Sequence, residues 1–323
     1  MTDAEPNKGT RSNRHPQRLL AYGLAGLWIV SGLLQAQPAL FSSAIMVNVL
    51  VPVVEREPAW FSHVVLWGDK LWSSHLASAN LAVVVGEIGL GLIISLGPFR
   101  KTGRVGLWLS IVWSLIVWCF GEGFGGILTG NASMIYQFPG PAVLYGLIAG
   151  LLLLPQAWWT EDKVRRGVTM GIGWLWIMGA VLQALPAAGF WTGSRLAGLF
   201  GDVTMAGGEP AGIARLINVM IQVTLGHPFV SNVLLVLIMA ALGIGWLKNP
   251  GSRWLRTATW VWLLFLWMVP QAFGTLFTGT ATNPGMVWPL ALLIVVAARP
   301  KTMLHKIDNL GNHKLGMPEP EAD

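Results

Sequence analysis

The chain has 323 residues, of which 54% are hydrophobic and only 11% charged, with a mean hydropathy of +0.58. An ordinary soluble domain carries about 25% charged residues, so this composition excludes a water-soluble globular fold. A lone cysteine, Cys119, excludes an intrachain disulfide and any cysteine-built zinc or iron–sulfur site.

The apolar residues form separate blocks about 16 to 24 residues long, the length at which a helix rising ~1.5 Å per residue crosses a ~30 Å hydrocarbon layer. After a basic tail over 1–18, a first four-helix unit is predicted over 19–160, with spans at 19–40, 78–97, 105–127 and 140–158. A second unit over 161–299 has spans at 168–189, 228–247, 257–277 and a short one at 285–298, followed by a tail over 300–323. The fold class expected is therefore an all-α, eight-span membrane protein. Eighteen Trp agree with it, since indole favours the headgroup layer. Between the first and second spans of each unit lies a long loop, roughly 41–77 and 190–227. Its apolar stretches, AIMVNVLVPVV and GIARLINVMIQV, are too short to span and read as amphipathic helices on the outer surface or folded over the bundle. In the first loop Trp60, Val64, Trp67 and Leu71 share one helical face, while Ser62, His63 and Asp69 point elsewhere.

Charge placement supplies an orientation, because Lys and Arg are retained in cytoplasmic segments. Of the 21 basic residues, all but Arg56, Lys70, Arg195 and Arg215 fall in the two tails and in the segments around Arg100–Arg104, Lys163–Arg166 and Lys248–Arg256. Both termini are expected in the cytoplasm, in a bacterial inner membrane. The formal charge of +6 follows this topology and is not read as nucleic-acid binding.

The opening basic stretch, apolar run and small residues imitate a cleavable signal peptide, but an internal repeat argues for a retained helix. LWIVSGLLQAQPA at 27–39 recurs as LWIMGAVLQALPA at 175–187. Glu57-Pro58-Ala59, His75 and Asn80 match Glu209-Pro210-Ala211, His227 and Asn232. GFGGILTGNAS, following Trp113 and Trp118, answers AFGTLFTGTAT, following Trp262 and Trp267. With four spans in each unit the two copies insert the same way round, a parallel repeat about an axis along the membrane normal.

Polar residues recurring at matched places are the candidates for chemistry, because a polar group in hydrocarbon costs free energy unless satisfied. They all lie toward the external side. Gln35 and Gln183 close the first helix of each unit, His75 with Asn80 and His227 with Asn232 open the second, Glu122 or Gln271 sits near the end of the third, and Thr129 and Thr278 follow. Two readings are open: a ring around an external vestibule that contacts a quinone headgroup or a metal, or residues that cap helices. Glu87 stands apart, mid-span in NLAVVVGEIGLGLIISLG, where its counterpart is Met239. An ionisable group at that depth is a functional-site candidate, either relaying protons or pairing with a buried partner such as Gln35.

The four-span unit with its extended external segment and a second helix reading GEIGLGLIISLG resembles the DoxX/DoxD superfamily of small four-helix membrane proteins. The resemblance implies a membrane subunit of a quinone-linked oxidoreductase, thiosulfate:quinone oxidoreductase being the example, with other membrane or extracytoplasmic subunits as partners. The second unit departs from the pattern, reading VLLVLIMAALGIGWL without the carboxylate. The other reading is a small-solute carrier or an assembly protein. No Walker loop, dinucleotide fingerprint, haem-attachment motif or zinc-protease motif occurs, so redox chemistry would need a partner or a noncovalently held cofactor.

Overall fold

The computed structural model describes residues 15–43, 45–46, 51–54, 57–136, 138–201 and 207–298. The two basic tails, parts of both long loops and the Leu71 side chain lie outside the described residues.

Among the described residues the chain is helical throughout, without strands. The principal helices are α1 (His15–Gln35), α2 (Ala59–Ser74), α3 (Leu76–Ser95), α4 (Lys101–Phe120) and α5 (Pro141–Leu153) in the first half. The second half holds α6 (Lys163–Ala184), α7 (Gly193–Gly201), α8 (Ala211–Gly226), α9 (Pro228–Lys248), α10 (Arg253–Met268) and α11 (Val287–Ala297). Five of these, α1, α3, α4, α6 and α9, are long and apolar enough to cross a membrane. Helices α5 and α11 are apolar but shorter, as is α8, which the sequence places in a loop.

The departures from the expected spans have local causes. Helices α1 and α6 end at Gln35 and Ala184 because a proline follows in each case, Pro38 and Pro186, and opens a short 3-10 turn. The expected blocks 105–127 and 257–277 stop early, at Phe120 and Met268, ahead of left-handed turns that begin at Gly123 and Ala272. Pro155 prevents α5 from continuing toward residue 158.

Each half is organised around one tight helix pair, α1 with α3 and α6 with α9. Both pairs cross where two small residues meet. A Cβ on Gly91 would lie 2.6 Å from the Ala25 carbonyl oxygen, and one on Gly243 would lie 2.9 Å from that of Gly173. In lipid, where burial of apolar surface adds little, such backbone proximity is what helix packing gains most from. Helix α11 packs on α1, α5 and α6, so the two halves share one continuous apolar core that includes Trp28, Trp176 and Trp246. Outward faces are apolar as well: Val85 is 63% exposed, Trp108 59% and Leu115 52%. That belt is what hydrocarbon covers.

Helix α2 folds back over the bundle. It buries Phe61, Val65 and Asp69, and it turns Trp60, Val64 and Trp67 outward, with Trp67 65% exposed. The outward apolar face suits the bilayer surface, as the shared helical face of these residues predicts. Phe61 stacks at 5.2 Å on Phe124, which anchors the loop to the far end of α4.

Candidate functional site

The matched polar residues form pairs within each half. The Gln35 amide donates to Asn80 Oδ1 at 2.6 Å, and the Asn80 amide returns a bond to the Gln35 carbonyl at 3.0 Å. In the second half Gln183 donates to Asn232 Oδ1 at 2.8 Å and Asn232 returns to the Gln183 carbonyl at 3.3 Å. Asn80 and Asn232 are fully buried, so each reciprocal clamp ties the last residues of one helix to the first turns of the next. A cross-link joins the halves at this level. Ser133, in the loop before α5, donates to Gln183 Oε1 at 2.7 Å, and Gln37 donates to the Ala281 carbonyl at 3.2 Å.

His75 and His227 do not join the clamps. Both are exposed, each being the single residue that separates two helices, and neither side chain caps the helix it precedes. His75 Nδ1 lies 2.9 Å from Ser74 Oγ.

Glu122 and Gln271 mark a second matched feature. After each of them the backbone runs through a left-handed turn: Gly123, Phe124, Gly125 and Gly126 in the first half, Ala272, Phe273, Gly274 and Thr275 in the second, all with φ between 40° and 77°. L-residues pay about 1–2 kcal/mol each in this region, so the turns are held by what surrounds them. Trp118 Nε1 donates to the Pro139 carbonyl at 2.7 Å and Trp267 Nε1 to the Pro284 carbonyl at 3.1 Å. Gly125 and Gly274 lie directly against those same carbonyls. The Glu122 carboxylate accepts from the Ala142 N–H at 3.0 Å and so caps α5, where the helix dipole favours negative charge. Gln271 is buried, and its amide has no partner among the described residues. Thr129 and Thr278 close the following turn, donating to the Gly126 and Thr275 carbonyls at 2.7 and 2.9 Å. Beside the first turn, burial raises the Glu57 carboxyl above its ordinary range.

Glu87 has different company. Trp113 Nε1 on α4 donates to Glu87 Oε1 at 3.2 Å, while Glu87 Oε2 is buried without a partner among the described residues. Gln35 is engaged by Asn80, so the carboxyl and that amide are separate. Near Glu87, Ser31 Oγ on α1 lies 3.4 Å from the Tyr145 hydroxyl on α5, and Ser114 Oγ on α4 is buried and unpartnered.

This polar cluster belongs to the first half alone. At matched positions the second half has Met239 for Glu87, Gly179 for Ser31, Leu263 for Ser114 and Leu290 for Tyr145. Only the tryptophan is kept, and Trp262 Nε1 is buried without an acceptor among the described residues, Met239 standing where the first half has the carboxylate. Ser31, Trp113, Ser114 and Tyr145 were not singled out from sequence. The comparison that isolates Glu87, a polar residue without a polar counterpart, also isolates Ser31, Ser114 and Tyr145.

Among the described residues no three His, Cys, Asp or Glu side chains converge where they could hold a metal ion. No family model, curated protein or solved structure matches the chain.

Proposed function

We propose that this chain is an eight-span protein of a bacterial inner membrane, built as two parallel four-helix units, and that it serves as the membrane subunit of a DoxX/DoxD-like, quinone-linked oxidoreductase. The duplication is supported by the matched contacts: two Gln–Asn clamps, two left-handed turns, and two tryptophans bonded to the carbonyl of a following proline. On this reading α5, α10 and α11 complete the spans despite their length, and both tails are cytoplasmic, where the basic residues concentrate.

One observation carries the redox assignment: a carboxyl buried within an apolar helix, bonded through one oxygen to Trp113, keeps its other oxygen without a partner among the described residues. A quinone dissolves in the hydrocarbon layer and takes up two electrons with two protons on reduction. The Tyr145 and Ser114 hydroxyls suit a quinone carbonyl, and Glu87, oriented by the Trp113 N–H, suits the delivery of a proton to it. Electrons would arrive from another subunit or from a noncovalently held cofactor, since the sequence carries one cysteine and no haem-attachment motif.

The test is optical, metal and lipid-extract analysis of the native complex purified in mild detergent, with co-purifying subunits identified. Bound quinone and a redox-active partner are expected, and Glu87→Gln should retain the partner while lowering quinone reduction at least 10-fold. A colourless, solitary protein that moves a solute in liposomes would instead identify a carrier.

A further inference from the structure

We infer that protons reach Glu87 from the end of the bundle where the Gln–Asn clamps lie, along a file formed by Glu122, Tyr145 and the hydroxyls of Ser31 and Ser114, present in the first half only. The inference rests on the reading above in one respect, that Glu87 exchanges protons; it does not require a quinone.

Register along the helices gives the order of the file. Glu122 sits at the start of α5, bonded to the Ala142 N–H. By helix rise Tyr145 is about 5 Å further into the same helix, and Ser31 is about 6 Å below Gln35 on α1. Glu87 is about 10 Å deeper than Asn80, the partner of Gln35, on α3. The hydroxyl pair Ser31–Tyr145 therefore lies between the carboxyl at the bundle end and the carboxyl at mid-depth. Ser114, one residue from the tryptophan that bonds Glu87, has its Cβ and Oγ against Gly146, next to Tyr145 in the chain.

The second half forms its clamp and its turn without these hydroxyls. It has the same clamp and the same turn with Gly179, Leu263 and Leu290 in their places, and Leu263 and Leu290 are buried in its core. A polar file retained at a burial cost in one half, and replaced by apolar residues in the other, points to use in transfer rather than in packing.

The step is a relay. Glu122 in its acid form gives a proton to the Tyr145 oxygen as Tyr145 passes its own hydroxyl proton toward the Glu87 carboxylate. Water carries the proton across the gaps between these groups: Ser31 Oγ lies 3.4 Å from the Tyr145 hydroxyl, and Ser114 Oγ has no partner among the described residues. Glu122 ends ionised, Glu87 neutral and Tyr145 unchanged; Glu122 is then reprotonated from the aqueous side.

Infrared difference spectroscopy of the full-length protein in liposomes, moved from H₂O to D₂O, reads the step without any quinone. The Glu87 carboxyl band is assigned by its loss in Glu87→Gln. Exchange of that band should slow at least 10-fold in Tyr145→Phe and in Glu122→Gln. Both variants are expected to fold, because they keep the shape of the residue they replace and the second half has Gln271 and Leu290 at these places. Ser114→Ala should slow exchange less than Tyr145→Phe. Unchanged exchange in Tyr145→Phe, or the absence of an exchanging Glu87 band in the wild type, overturns the file. Slowed exchange in a protein that neither binds nor reduces quinone would keep the file and reject the quinone reading.

Discussion

Replacing Gly274 by alanine is expected to destabilise the protein by about 2–5 kcal/mol, combining a left-handed backbone penalty with overpacking. Its φ is +67°, and an added Cβ would lie 2.5 Å from the Pro284 oxygen and 2.6 Å from its carbonyl carbon. These are backbone atoms, fixed by the Trp267 hydrogen bond to the same carbonyl, so no side-chain rotation relieves the contact. Gly125→Ala should behave alike, since its φ is also +67° and the Pro139 oxygen would be 2.7 Å away. Gly86→Ala is the control. Nothing lies within 4 Å of a Cβ there, and the change should be neutral or stabilise the helix by up to about 1 kcal/mol. Reversible unfolding in mixed micelles measures all three. Equal, large losses at Gly125 and Gly274 are the expected result, and wild-type stability in either would remove the strained turn from the account.

The second large effect concerns the clamps. Gln183→Leu removes the acceptor of the Ser133 hydroxyl and the partner of Asn232, leaving two buried polar groups unsatisfied at about 1–3 kcal/mol each. Gln35→Leu orphans Asn80 alone among the side chains bonded to it here, and should cost about half as much. Because replacing both partners of a buried hydrogen bond by apolar groups is much less costly than replacing one, the double variant Gln35→Leu, Asn80→Leu should be closer to wild type than Asn80→Leu. Additive losses across that cycle would mean that the two amides do not form a coupled pair.

The membrane class was legible in the sequence because bilayer thickness imposes a length on apolar helices, and each block registers as an uninterrupted run. The ends of those runs were less legible. The block at 257–277 reads as one apolar stretch, yet the helix stops at Met268. In the turn that follows, Ala272, Phe273 and Thr275 take positive φ although only Gly274 among the four residues favours it. Strain of that kind is imposed by the Trp267–Pro284 contact, which links positions distant in the chain. The site was half legible for a related reason. Matching the two halves selected Gln35, Asn80, Gln183 and Asn232 as residues with something to satisfy, but which partner satisfies them depends on the crossing of α1 with α3 and of α6 with α9. His75 and His227 matched equally well and lie exposed between helices. Tyr145 and Ser114 were less legible because an uncharged hydroxyl in an apolar run does not stand out as the Glu87 carboxyl does.

The central claim, that the chain crosses the membrane eight times as two units inserted the same way round, is tested most directly by topology reporters fused within the full-length protein. Fusions after residues 100, 163 and 250 should report the cytoplasm, and fusions after residues 65, 131, 205 and 281 should report the outside. A protein with residues 65 and 205 on opposite sides of the membrane would contradict the parallel duplication.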